Sequence, residues 1–184
     1  MKKVLLILLT FIMFVINCGK LQAQENLEIM LNDLQSGDIS KIKKLNLEYQ
    51  IGKENEAMQK VFIEGYKKMT YKIKDIKVEG DKKTVNLDIK VPDLYEYFPE
   101  YMEKLPYEFN LDLNKSDEEV TELFERYEYD FFMKKIISKD LKFTEANINV
   151  VLKKIDNQWV IDEQNDINKE FYDIITFGFS KLGE

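Results

Sequence analysis

Few side chains in this 184-residue sequence are of the types that titrate near neutral pH. The chain has no histidine, which removes the commonest general base and the imidazole ligands of most zinc sites. Its single cysteine is Cys18, so no disulfide can form within the chain. With 34 Asp and Glu residues, a close pair of carboxylates is weak evidence for a site. We therefore expect no metal, no cofactor and no catalytic residue, and the chemistry rests on Cys18.

Cys18 ends an apolar segment that has the features of an export signal. Lys2 and Lys3 give the segment a positive start, and Val4–Ile16 is a run of 13 residues interrupted only by Thr10. This length is typical of a signal peptide and is too short for a membrane-spanning helix, which needs about 20 residues. The segment therefore predicts export and does not belong to the folded domain.

Residues Val15-Ile16-Asn17-Cys18 resemble the lipobox of bacterial lipoproteins. The resemblance implies that the Cys18 thiol carries a lipid and that cleavage occurs just before it, although Asn17 stands where the motif usually has a small residue. A rival cleavage position follows Ala23, and its use would discard Cys18 and leave a periplasmic or secreted protein. The absence of any cysteine after Cys18 favours the lipid anchor.

These positions divide the chain into a signal peptide over 1–17, a tether over 18–24 and a single domain over 25–184. Loss of Lys2 and Lys3 with the signal lowers the Lys and Arg count from 27 to 25 against 34 Asp and Glu, so the mature chain has a formal charge of −9. Such acidity argues against nucleic acid and against an anionic membrane surface as partners. The membrane contact that we expect is the lipid on Cys18.

Apolar residues at helical spacing predict most of the secondary structure of the domain. The predicted helices are Gln22–Ser36, Ile39–Leu47, Glu54–Met69, one or two short helices after Pro92, a long helix from a capping box at Ser116 to Ile137, and Ile167–Leu182.

Strict alternation of apolar and polar residues predicts two β-hairpins. The first covers Tyr71–Val91, with a bulge at Lys74-Asp75 and a turn at Gly80, and the second covers Ala146–Ile161, with a turn at Asp156-Asn157. The paired lysines Lys82-Lys83 and Lys153-Lys154 are predicted to be solvent-exposed.

The order of helices, hairpin, helices, hairpin and helix predicts an α+β domain, in which a curved antiparallel sheet of about four strands has helices packed on one face. In this order, and in the segments IKVEGDKKTVNLDIKVPDL and KKIDNQWVID, the chain resembles small bacterial lipoproteins of the nuclear transport factor 2-like (cystatin-like) superfamily. Residues 70–92 and 144–162 carry the resemblance. It implies the fold but no single function, because the superfamily includes lipoproteins of unknown function, ligand-binding modules and enzymes.

Two functions follow for such a domain. The first is a lipid-anchored protein of the bacterial cell envelope that binds a partner protein or a small apolar ligand without catalysis. Its predicted surface consists of inward-facing strand residues and an aromatic segment, namely Leu87, Ile89, Val150, Leu152, Tyr95, Tyr97, Phe98 and Tyr101. The alternative role of these aromatic residues is structural, since they would also cover the open end of the sheet.

The second function is a hydrolase or isomerase that uses a carboxylate or tyrosine in the same sheet. It requires an inward-facing Asp or Glu whose pKa is raised. On strict alternation, Asp88 and Lys90 face away from the side of Leu87 and Ile89, which argues against an acid in that place.

Overall fold

The structure is a computed structural model, and it describes residues 22–38, 56–108, 116–156 and 158–183. Cys18, the signal segment and the first part of the tether lie outside these ranges. The short helix predicted over Ile39–Leu47 also lies outside them.

The described chain contains five helices. They are α1 over residues 22–36, α2 over Glu56–Tyr66, α3 over Phe98–Glu108, α4 over Asp117–Ile137 and α5 over Asn168–Ile175, with 3₁₀ turns at Tyr95–Tyr97 and Phe179–Gly183. The predicted helix over Gln22–Ser36 and the long helix ending at Ile137 are confirmed. Gly37 ends α1 with φ +67°, a conformation that glycine adopts without strain.

The four strands form one antiparallel sheet in the order β1-β2-β3-β4. They are β1 over Thr70–Glu79, β2 over Lys82–Pro92, β3 over Phe143–Ile155 and β4 over Gln158–Ile161. In the last pair, Leu152 lies opposite Ile161 and Lys154 opposite Trp159. The predicted α+β class with an antiparallel sheet of about four strands is therefore confirmed.

The described residues fall into two compact units. The first unit holds residues 22–32, Tyr71–Ile89 and Asn147–Phe171, and the second unit holds the rest. Strands β1, β2 and β3 and helices α1 and α5 contribute residues to both units, and each unit has its own buried apolar residues.

In the first unit, α1 crosses the sheet from one edge to the other. The Asn26 side chain donates a hydrogen bond of 3.1 Å to the carbonyl of Trp159, which lies in the edge strand β4. The Tyr71 hydroxyl, at the start of the opposite edge strand β1, lies 2.8 Å from the Asn32 side-chain oxygen. Leu27 and Leu31 of α1 are 2% and 0% exposed, because this crossing covers them.

Helix α4 begins at the predicted capping box. The Ser116 hydroxyl accepts from the Glu119 backbone N–H, and the Glu119 carboxylate accepts from the Ser116 N–H. Both partners satisfy backbone donors that the first helical turn leaves free, so the helix starts where the sequence predicts.

The last helix is shorter than predicted, so the prediction of Ile167–Leu182 is corrected. Helix α5 ends at Ile175, because Phe177 and Gly178 adopt positive φ angles of 54° and 84°. This turn buries the Phe177 ring in the second unit, 5.1 Å from the centre of the Phe62 ring. The aromatic packing therefore overrides the helical spacing.

Candidate functional site

Lys83 lies on the buried face of β2, so the prediction that it is exposed is wrong. The two-residue alternation that buries Val85, Leu87 and Ile89 continues back to Lys83, which is 2% exposed. Lys82, one residue earlier, is on the other face and is exposed.

The Lys83 ammonium lies against an aromatic ring in the first unit. Its Nζ is 3.8 Å from the centre of the Trp159 ring, and Nζ of Lys154 is 5.9 Å from the same ring. The negative face of the indole attracts both cations. Burial lowers the pKa of Lys83 below its usual value of 10.5, and the charge of Lys154 lowers it further. We call these three residues the lysine–tryptophan cluster.

Within the lysine–tryptophan cluster, Lys83 and Trp159 have little access to solvent, whereas Lys154 is exposed. A lysine whose pKa is lowered carries a larger neutral, nucleophilic fraction. The indole Nε1 of Trp159 is also buried, and it has no hydrogen-bond acceptor among the described residues. The 2% exposure of Lys83 nevertheless separates its amine from solvent, so the cluster as observed serves packing.

Asp162 pairs with the two lysines that directly precede Lys83 and Lys154 in the sequence. Its carboxylate is 3.0 Å from Nζ of Lys153 and 3.5 Å from Nζ of Lys82. The hydrogen bond from Lys153 is the main reason that the pKa of Asp162 lies below its usual value. Asp162 is the buried carboxylate of the described chain, and its pKa shifts in the direction opposite to the one that an acid catalyst requires.

Asn168 ties the start of α5 to β3. Its side-chain oxygen accepts from the Val151 N–H at 2.7 Å, and its amide nitrogen donates to the carbonyls of Val151 and Asp162 at 2.9 and 2.8 Å. The side chain is fully buried, and these bonds satisfy both its oxygen and its amide nitrogen. They also pair the N–H and C=O groups of Val151, as the backbone of a neighbouring strand would. Its role is therefore to hold the structure together.

The strand residues predicted as a binding surface lie in the core of the first unit. Leu87 and Val150 are fully buried, Leu152 is 1% exposed and Ile89 is 3% exposed. They sit on the neighbouring strands β2 and β3.

The aromatic residues of the same prediction lie in the second unit. Tyr97 and Tyr101 are buried, whereas Tyr95 and Phe98 are half-buried and stack with ring centres 5.9 Å apart. Burial is the main reason that the pKa of Tyr101 rises to about 12, and the charge of Glu128 adds to it. The Tyr97 hydroxyl donates to the Asp140 carbonyl at 3.2 Å and accepts from a backbone N–H at 2.8 Å.

The exposed face of β2 and β3 carries a network of amides. Asn86 donates to the side-chain oxygens of Asn147 and Asn149 at 3.0 and 3.1 Å, and Asn147 donates to Asp88 at 2.6 Å. Asp88 also pairs with Lys74 at 2.6 Å. These groups satisfy one another across the strands, so the network stabilises this face of the sheet.

Two kinds of site are absent from the part of the chain that the structure describes. No group of three or more Asp, Glu, Cys or His side chains there is arranged to hold a metal ion. Within the same ranges, no helix has the length and apolar content needed to cross a membrane.

Sequence reasoning missed Lys83 and Asn168. The signal for Lys83 was present, because the alternation of β2 extends two residues further back than the first valine. Asn168 had no such signal, since an Asn at the start of a helix is also typical of an ordinary cap.

No protein-family model matches the sequence, and no curated protein is significantly similar to it. Among solved structures, the chain is similar to the crystal structure of a candidate lipoprotein (ycdA) from Bacillus subtilis, with a TM-score of 0.46 and 19% sequence identity. The similarity covers 66% of this chain and 38% of the Bacillus chain. This chain thus matches less than two fifths of that protein's length.

Proposed function

We propose that this protein is an exported lipoprotein of the bacterial cell envelope, acylated on Cys18. We further propose that its folded part, of the nuclear transport factor 2-like type, binds a partner protein or a small apolar ligand without catalysis. The export segment and the position of Cys18 in the sequence support the anchor.

The burial of Ala23 is the main observation that favours cleavage before Cys18 over cleavage after Ala23. Ala23 lies in α1 and its side chain is fully buried. Cleavage before Cys18 keeps this residue in the mature protein, whereas cleavage after Ala23 removes it. A core that packs Ala23 is consistent with a mature chain that retains it, which supports cleavage before Cys18.

The charge at the start of α1 supports the same choice. Cleavage after Ala23 would leave a free α-amino group on Gln24, within the helix. A positive charge at this end opposes the helix dipole and lowers the stability of the first turn. An N-terminus at Cys18 lies several residues before the described helix, and acylation of its amino group would remove the charge.

The pKa shifts of one buried carboxylate and two buried tyrosines support a non-enzymatic role. Asp162 has a lowered pKa, and burial raises the pKa of Tyr66, whose hydroxyl donates to the Ile175 carbonyl at 2.9 Å. Tyr101 also has a raised pKa, so both phenols stay protonated near neutral pH. Neither tyrosine is therefore suited to accept a proton in catalysis.

Expression of the full-length chain in a bacterial host, with an alkyne-labelled palmitate analogue in the medium, tests the anchor. The wild-type protein should take up the label and enter the detergent phase on phase separation, and Cys18→Ala should not take up the label. A wild-type protein that stays in the aqueous phase without label would refute the proposal.

A further inference from the structure

We infer that one end of the sheet faces the lipid bilayer and that Ile155 contacts it. This end, which we call the turn end, carries the β1–β2 turn at Gly80-Asp81 and the β3–β4 turn at Asp156. The inference rests on the proposed acylation of Cys18. All the residues that carry it belong to the first unit.

The contacts of Asp162 place both turns at the same end. Its carboxylate binds Lys82, the first residue of β2, and Lys153, two residues before the end of β3. The start of β2 therefore lies beside the end of β3, and the two hairpins turn on the same side of the sheet.

The chain enters the fold at this turn end. Asn26 of α1 binds the carbonyl of Trp159, and Trp159 pairs with Lys154, the neighbour of Ile155. Gln22 precedes Asn26 by about one helical turn, or about 6 Å. Further along α1, Asn32 accepts a hydrogen bond from the Tyr71 hydroxyl. Tyr71 lies at the start of β1, which is the end of the sheet opposite to the turn end.

The short tether then limits how far the turn end can lie from the bilayer. Only four Cα–Cα steps separate Cys18 from Gln22, and at 3.8 Å per step they span at most about 15 Å. Lys72 lies seven residues along β1 from Glu79, which is about 23 Å further from the turn end. A lipid on Cys18 therefore brings the turn end, and not the Lys72 end, to the membrane surface.

The surface of the turn end suits a neutral bilayer. Ile155 is 47% exposed, and the adjacent Lys154 is also exposed, a pairing that lets the apolar side chain enter the interface while the ammonium stays in water. Lys82 and Lys153 are engaged by Asp162, and the other turn carries the acidic Asp81. The contact therefore needs no anionic lipid and should not weaken with salt.

Fluorescent probes at single cysteines test this orientation on the processed, acylated protein. Acylation consumes the Cys18 thiol, so a cysteine introduced by Ile155→Cys, Asp81→Cys or Lys72→Cys is the one thiol that reacts with a dye. Each labelled protein is placed in phosphatidylcholine vesicles that carry a spin-labelled headgroup as quencher. Circular dichroism confirms that each variant is folded, and the mass of the N-terminal peptide confirms the lipid.

We expect the probes at 155 and 81 to lose most of their fluorescence and the probe at 72 to lose little, at low and at high salt. Equal quenching at 72 and at both turn-end positions, in acylated protein, would overturn the orientation alone. An N-terminal peptide without lipid would overturn the anchor, and the orientation with it.

Discussion

Nζ of Lys83 lies 3.8 Å from the centre of the Trp159 ring, in a position that is 2% exposed to solvent. A lysine on the inward face of a strand normally costs stability, because its charge loses most of its hydration. The attraction between the ammonium and the indole face offsets part of the lost hydration free energy. The pKa of Lys83, lowered mainly by burial, indicates that the loss is the larger effect.

This balance predicts a pH dependence that belongs to Lys83. Because its pKa is lower in the folded state than the usual 10.5, the unfolded chain binds the proton more tightly. The contribution of Lys83 to the free energy of unfolding should therefore rise as pH increases from its folded-state pKa towards 10.5. Lys83→Met should remove this rise in urea titrations at pH 7 and pH 10, and the exposed Lys72→Met should keep it. A rise that persists in Lys83→Met would show that other groups cause it.

The ion pairs of Asp162 predict that the free energy of unfolding falls at acidic pH. Its folded-state pKa is lowered, chiefly by Lys153, so its contribution is present above the usual value near 3.8 and is lost as pH falls through the folded-state pKa. Asp162→Asn should lower the free energy of unfolding by about 1–2 kcal/mol at pH 7, since its lysine partners are partly exposed. The difference from wild type should vanish below the folded-state pKa.

Asp166→Asn is the matched control, because Asp166 also pairs with a lysine, Lys169, but is exposed. It should leave the unfolding midpoint unchanged. Equal losses in the two variants would mean that burial does not distinguish Asp162.

The three hydrogen bonds of Asn168 predict a large loss when the amide is removed. Asn168→Ala leaves the Val151 N–H and two carbonyls without this partner in a fully buried place, which should cost about 2–4 kcal/mol in chemical denaturation. Asn149→Ala removes an exposed amide and should cost less than about 0.5 kcal/mol. Similar losses for both would contradict the structural role of Asn168.

Gly65 predicts a steric effect in the second unit. A Cβ at this position would lie 2.7 Å from the Phe177 ring, so Gly65→Ala should lower the free energy of unfolding by about 1–3 kcal/mol. Combining it with Phe177→Leu, which removes the ring edge, should make the two losses less than additive. Strictly additive losses in thermal unfolding would show that the ring is not the obstacle.

Most of the fold could be predicted because local rules agree with it. The alternation of Val85, Leu87 and Ile89, the Gly80 turn and the capping box at Ser116 each specify a local conformation, and the structure has all three. The end of α5 could not be predicted in this way. The helix ends because the Phe177 ring packs against Phe62 and Tyr66, which lie more than a hundred residues earlier in the chain.

The candidate site was harder to predict for the same reason. Lys83 follows the period of β2, but its burial depends on Trp159, which comes from a hairpin that periodicity alone does not place beside it. Leu87, Ile89, Val150 and Leu152 are inward-facing as predicted, and their role as a ligand surface stays a prediction.

The mass of the N-terminal peptide of the mature protein shows whether Cys18 is the lipid anchor. The protein is purified from the whole culture of a bacterial host, cells and medium together, and digested, and its N-terminal peptide is measured beside that of Cys18→Ala. We expect a wild-type peptide that begins at Cys18 and carries a diacylglyceryl group. A wild-type peptide that begins at Gln24, without lipid, would contradict it.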